Sequence, residues 1–289
     1  MTVYQIFQFF LIYSFLGWCL EVVYHAVSKG IVVNRGFLNG PVCPIYGFGV
    51  IAIFGLLNLA SEREMHEVNA LGVFVGGVVL ATIIELFGGW ALDKLFHARW
   101  WDYSKEPFNF HGYICLRFSL FWGAGILLVV RGVHPMIADL AGRVPVKAGW
   151  ILMGVLYLVY LADVVLSVMF MIGLNKKLSE LETMRSDMRI VSDKLTAALG
   201  EGALEAAGSV DEARVQAALA REDLIEDFDE ARAAFDQKRE AFEQKRMALE
   251  EDLRKTRHFG TGRLLRAFPE MSHHDYGDLL LQYRDILKY

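Results

Sequence analysis

Two stretches of this chain are too apolar for a water-facing surface, yet each encloses one glutamate: Tyr13-Ser-Phe-Leu-Gly-Trp-Cys-Leu-Glu21 and Ala81-Thr-Ile-Ile-Glu85-Leu-Phe. About 20 consecutive apolar residues cross a bilayer as a helix. Hydrocarbon leaves the backbone little other choice, because its polar groups must all be satisfied within the protein. An ionisable side chain at that depth is costly and by default marks either a functional site or a partnered charge. Here the setting occurs twice. Glu21 is followed 14 positions later by Arg35, and Glu85 by Arg99. Gly40-x-x-Cys43 follows the first arginine, and Gly112-x-x-Cys115 follows the second after eight extra residues. The pattern predicts an all-α polytopic membrane bundle built on a duplicated two-span unit with a charged centre.

Five segments qualify as spans: residues 4–27, 42–60, 68–92, 113–133 and 148–173. Pro41, Pro44, Gly47 and Gly49 predict an irregular start to the second, which is tolerated only where protein or a wet cavity covers it. Gly72-x-x-x-Gly76 in the third reads as a small-residue packing face. Lysine and arginine in short loops set orientation. Lys29 and Arg35 lie in one loop, Lys94, Arg99 and Lys105 in another, and Lys176, Lys177, Arg185 and Arg189 follow the last span. The opposite side has little beyond Arg63 among the acids of Ser61–Glu67, with Arg143 and Lys147 dissenting. The bias predicts a multi-pass cell-membrane protein with its N-terminus outside and its C-terminus cytoplasmic. Trp100, Trp101 and Tyr103 are then expected at the headgroup level. The N-terminus carries no positive n-region or small-residue cleavage site, so no cleavable signal peptide is expected.

Chemistry changes near residue 175. The net charge of −5 comes mostly from the C-terminal third and says little about partners. Leu181, Met184, Met188, Val191, Leu195 and Ala198 alternate at spacings of three and four, a coiled-coil seam. Gly200, Gly202 and Gly208 are expected to break that helix. Phe228, Phe235, Phe242 and Leu249 then recur every seventh residue, although Lys238 and Lys245 fall on the complementary seam positions. An antiparallel hairpin and a solvated charged helix both fit. The expected organisation is a transmembrane domain at 1–174, a cytoplasmic helical hairpin or coiled coil at 175–258 and an amphipathic tail at 259–289. The tail's arginines are candidates for anionic lipid, and removal of 201–289 is expected to leave the five-span bundle inserted and monodisperse in detergent.

Candidate functional residues fall into two groups. Glu21, Arg35, Glu85, Arg99, Arg117 and Asp163 lie within or beside spans, where they either line a polar path or neutralise one another and lock the bundle. Asn34, Gly36, Asn39 and Gly40 form one glycine-rich loop motif; Trp100, Trp101 and Asp102 form the second, aromatic one. Exposed glycine-rich backbone beside arginine suits an anion. Neither loop is a Walker P-loop, and no such motif occurs in the chain, so any ATP hydrolysis belongs to another polypeptide. Cys43, Cys115, His97 and His111 match no zinc spacing, and the cysteines read as small packing residues. His66 and His134 are expected on the other face of the membrane. No nucleophile elbow, His-Glu-x-x-His or paired-carboxylate signature is present. Neither enzymatic activity nor a cofactor, metal or nucleic-acid partner is expected.

The chain also resembles a known family. Tyr13-Ser-Phe-Leu-Gly-Trp-x-x-Glu21, Asn34-Arg-Gly-Phe-Leu-Asn-Gly-Pro-x-Cys-Pro-Ile-Tyr-Gly-Phe-Gly49 and Phe96-His-Ala-Arg-Trp-Trp-Asp-Tyr-Ser104 are similar to the type IV ABC-transporter family of CmpB-like bacterial membrane proteins. Pro107-Phe-Asn-Phe-x-Gly112 and Phe118-Ser-Leu-Phe-Trp-Gly123 extend the likeness, which covers roughly residues 5–135. It implies a permease component that moves a small solute or ion, with a separate ATPase subunit as partner. A non-transporting scaffold or regulator acting through its cytoplasmic coiled coil is the alternative. Besides the lipid bilayer, a homo-oligomer through 175–258 is a further candidate partner.

Overall fold

A computed structural model describes residues 1–60, 69–208 and 214–286. Helix α1 (Val3–Lys29) begins at a reciprocal cap, in which the Thr2 hydroxyl accepts from Gln5 N–H and the Gln5 side chain accepts from Thr2 N–H. It ends at Gly30, whose φ of 71° is the left-handed conformation that glycine adopts without a Cβ clash. Helix α2 is Pro44–Ala60 and α3 is Ala70–Phe96, started by the Asn69 side chain on Leu71 N–H. Helix α4 (Leu116–Leu128) continues through a π turn at Val129–Val133 into α5 (His134–Gly142). Helix α6 runs from Val146 to Gly208 and α7 from Arg214 to Lys255.

Among the described residues, four helical stretches are long and apolar enough to cross a membrane: α1, α3, Leu116–Gly142 and the first part of α6. The expected second span is a shorter apolar helix, because Pro41 and Pro44 delay its start. The fourth span does not end at Val133 as expected. Pro135 lacks an N–H and its ring crowds the carbonyl four residues earlier, so the ladder widens into one π turn and the helix resumes to Gly142. Large apolar side chains such as Phe87, Phe121, Ile151 and Leu158 face outward, each over 60% exposed. That is the arrangement hydrocarbon requires and water penalises. This is a membrane protein.

Helix α1 packs on α2, α3 on α4, and α2 on α3. Phe9, Tyr13, Ile53, Phe54, Leu57, Val73 and Val130 form the core between them. Glycines allow the close approaches. A Cβ on Gly17 would lie 2.2 Å from the Tyr46 ring, and one on Gly123 would lie 2.3 Å from Val78. The expected packing glycine Gly76 has ordinary room, with Leu56 at 3.5 Å; its neighbour Gly77 is the tight one, 3.0 Å from Ile126.

The chain forms two compact units. One comprises residues up to Gly173 together with the chain from Lys255 onward; the other is Leu174–Arg254. In the second unit α6 and α7 pair antiparallel, as the reversed order of the ion pairs Lys177–Asp252, Glu180–Lys245 and Asp187–Lys238 requires. The two seam lysines are thus accommodated by carboxylates of the facing helix. Gly200 and Gly202 do not break α6, which carries on to Gly208: a glycine inside a helix costs only about 1 kcal/mol against alanine. Residues 209–213 lie outside the described residues, as do Arg63, His66 and the Ser61–Glu67 segment.

The tail does not behave as an independent amphipathic segment. Helices α8 (Thr261–Ala267) and α9 (Gly277–Ile286) belong to the first unit. Between them strand β4 (Ser272–His273) pairs antiparallel with β1 (Ala98–Arg99). A second two-stranded ribbon, β2 (Asn109–Phe110) with β3 (Ile114–Cys115), closes the loop ahead of α4. Leu264, Leu265, Ala267, Leu279, Leu280 and Tyr283 are buried. Arg263, expected to be free for lipid, is only 3% exposed.

Candidate functional site: a polar centre held by two loops

Glu21 lies in α1 and is three-quarters buried. Its Oε2 lies 3.1 Å from Arg35 Nε as an ion pair, and its Oε1 accepts from the Tyr46 hydroxyl at 2.7 Å. The Tyr46 ring meets the Trp122 ring edge-on at 5.6 Å, linking α2 to α4. Trp122 stands beside Glu85, which is 7% exposed in α3 and accepts from the Tyr103 hydroxyl at 3.0 Å. Glu85 Oε2 is buried without a hydrogen-bond partner among the described residues. Burial, then the Glu85 carboxylate, push the Tyr103 hydroxyl above the usual tyrosine range, so it remains a donor. The two glutamates therefore belong to one line of polar and aromatic groups: Arg35, Glu21, Tyr46, Trp122, Glu85, Tyr103.

The duplication in sequence does not extend to the charge pairs. Arg99 does not reach Glu85. It lies 3.6 Å from Asp93, 3.9 Å from Asp102 and over the Tyr113 ring. Asp93 is eight residues further along α3, about 12 Å toward the loop, and is nearer to the origin of a side chain at position 99. Tyr103 replaces the arginine at Glu85. Arg117 is exposed and pairs with Glu106 at 3.5 Å. Trp100 is buried among Phe37, Phe96 and Phe268. Trp101 donates to Tyr113 O, and Asp102 accepts from Ser104 N–H and Oγ–H. Both fix the second loop.

The first loop binds charge of both signs. Asp163, in α6, accepts from Asn39 N–H and Nδ2–H at 3.0 Å each and from Gly40 N–H at 2.6 Å. The expected anion site of this loop is thus filled by the protein's own carboxylate. On the loop's other side the carbonyls meet a cation. Arg263 donates from Nη1 to Asn34 O (3.0 Å) and Gly36 O (2.8 Å), from Nη2 to Phe37 O (2.9 Å), and from Nε to Asn39 Oδ1 (3.2 Å). Burial lowers the Arg263 guanidinium to about 10, with Asp163 opposing, so it stays charged at neutral pH. The loop is also tied inward. Trp18 donates to Asn34 Oδ1 at 2.6 Å, and Cys43 N–H to Ser14 O at 2.9 Å.

The second loop receives the tail as well. His274 Nε2 lies 2.5 Å from Asp93 Oδ1, whose partner oxygen takes the Tyr113 hydroxyl, and His274 N–H donates to His97 O. Among the described residues no three His, Cys, Asp or Glu side chains converge as metal ligands would. Further inside, Tyr13 Oη and His134 Nδ1 are 3.0 Å apart in the core. Sequence reasoning did not single out Tyr46, Asp93 or His274, and it read Tyr103 and Arg263 as membrane-surface residues. A faint signal existed for two of them: Asp93 closes an apolar helix, and Arg263 sits in an apolar run beginning Gly-Thr-Gly.

No curated protein and no solved structure matches this chain. One family model matches residues 8–168, over half of the chain, and covers Glu21, Arg35, the Asn34–Gly40 loop, Glu85, Arg99, Trp122 and Asp163 while excluding the tail. The chain belongs to the family described as "Putative ABC-transporter type IV".

Proposed function

We propose that the chain is the membrane-spanning component of an ABC-type transporter, moving a small solute or ion while a separate polypeptide hydrolyses ATP. The observation that carries this reading is the Glu21–Tyr46–Trp122–Glu85–Tyr103 line inside apolar helices. Buried carboxylates with aromatic and hydroxyl neighbours are what a path through hydrocarbon needs, and a bundle held by packing alone does not need them. The loop-charge bias supports an N-terminus outside and a cytoplasmic C-terminus. In that orientation the α6–α7 hairpin of the second unit offers a cytoplasmic surface for an ATPase subunit or for a second copy of the chain.

A scaffold reading has its own support, because Glu21 is paired with Arg35 and Asp163 is satisfied by the loop. Flux in proteoliposomes decides between them, measured across a panel of small solutes with and without co-purified ATPase subunits. Wild type is expected to move at least one solute. Glu85→Gln keeps the Tyr103 hydrogen bond and removes the charge, so flux is expected to fall at least about tenfold, a loss of about 1.4 kcal/mol or more. No flux from a folded wild type would favour the scaffold.

A further inference from the structure

The Asn34–Asn39 loop is built as a receptor for one chemical group. Four oxygens, from Asn34, Gly36, Phe37 and the Asn39 side chain, converge on the planar fork of Arg263 at 2.8–3.2 Å. These oxygens have supports outside the tail, although Asn39 Oδ1 also accepts from Gly260 N–H of the tail at 2.9 Å. Asn34 Nδ2 donates to Asn39 O, and Trp18 holds Asn34 Oδ1. Asp163 grips the Asn39 and Gly40 N–H groups from behind, and Ser167 takes the Asn39 amide at 3.1 Å. Asp163 also supplies the negative charge that a buried cation needs. A preorganised set of acceptors of this shape selects a guanidinium over an ammonium, because only the fork presents several N–H donors in one plane.

The receptor lies inside the family match and its occupant lies outside it. We infer that this loop is a binding site for a small guanidinium-bearing solute, and that Arg263 occupies it in cis as a tethered competitor. The same loop carries Arg35 onto Glu21, so a ligand that displaces the tail acts directly beside the polar centre. Identifying this ligand as transported cargo rests on the transport reading above. The binding itself does not.

The test uses the full chain in detergent, with ethylguanidine as probe and ethylammonium as the charge control. About 10 mM is suitable, since a ligand of so few atoms binds in the millimolar range. Limited proteolysis at residues 256–260 reports tail release, and Trp18 fluorescence reports the loop. In wild type, ethylguanidine competes with Arg263 and is expected to raise cleavage about threefold, with ethylammonium inert. In Arg263→Ala, cleavage is high from the start. Ethylguanidine is expected to change Trp18 fluorescence saturably there, an effect that Trp18→Phe removes. Equal responses to the two cations, or none in wild type, would overturn the assignment even if Arg263→Ala does not fold. A response only to a peptide copying residues 259–268 would also overturn it, by showing that the loop reads the tail's apolar face. Absence of flux with binding intact would sink the transport reading alone.

Discussion

At the residue scale, buried charge is the decisive quantity. Asp163 receives three N–H groups from Asn39 and Gly40, and hydrogen bonds to an ionised acceptor contribute about 1.5–3 kcal/mol. Asp163→Asn keeps the shape but presents a donor or a weaker acceptor to Gly40 N–H. It is expected to cost about 2–3 kcal/mol, read as a lower unfolding midpoint and faster cleavage of the tail. His273 gives the tail a pH dependence. It is buried, and its Nδ1 accepts from Asp275 N–H and Tyr276 N–H at 3.2 Å, so the neutral ring is the one that fits. Burial pushes its pKa below the usual histidine range; His97 and His274 act in the same direction and Asp275 against it. A base depressed on folding leaves stability intact above its unfolded value and drains it as pH falls below about 6.5. Tail protection from protease should therefore decline between pH 7 and 5, and His273→Asn should flatten that decline. A wild-type profile that is level across this window would remove His273 from the account.

At the element scale, the helix pairs depend on glycine contacts more than on oily side chains, since lipid is as apolar as leucine. Gly123 and Gly125 sit on the same helix and provide a matched test. A Cβ on Gly123 meets Val78 at 2.3 Å and the Phe74 carbonyl at 3.1 Å, whereas one on Gly125 meets nothing within 4 Å. Gly123→Ala is expected to destabilise the α3–α4 pair by about 1–3 kcal/mol through overpacking. Gly125→Ala should be neutral or slightly stabilising, by up to about 1 kcal/mol of helix propensity. Unfolding midpoints in one detergent compare them directly, and equal midpoints would mean that α3 and α4 do not meet at Gly123.

At the scale of the whole molecule, the tail is part of the first unit's own architecture. It covers Trp100 with Phe268, fills the first loop with Arg263, adds β4 to β1 and brings His274 to Asp93. Removing the chain from Lys255 onward leaves Asn34, Gly36 and Phe37 carbonyls without their donor and exposes an aromatic cluster. The truncated protein is expected to insert but to aggregate in detergent, unlike the full chain, as size-exclusion profiles would show. A monodisperse truncation would return the tail to the status of a separable appendage.

Length and hydropathy determined the class of this protein from sequence alone, because a span is a local property: 20 residues and their transfer free energy decide it without reference to the rest. The loops that hold Glu21 and Glu85 were legible for a related reason, since a glutamate in an apolar helix and a glycine-rich turn are both visible within a few positions. The partners of those charges were not. Arg99 goes to Asp93 and not to Glu85, Tyr103 takes its place, and Arg263 reaches Asn39 across 224 positions of chain. A repeat in sequence predicts equivalent backbone positions, but a buried charge pairs with whatever packing brings within about 4 Å, where a low dielectric makes that contact outweigh more distant ones. Only the tertiary structure decides which group that is.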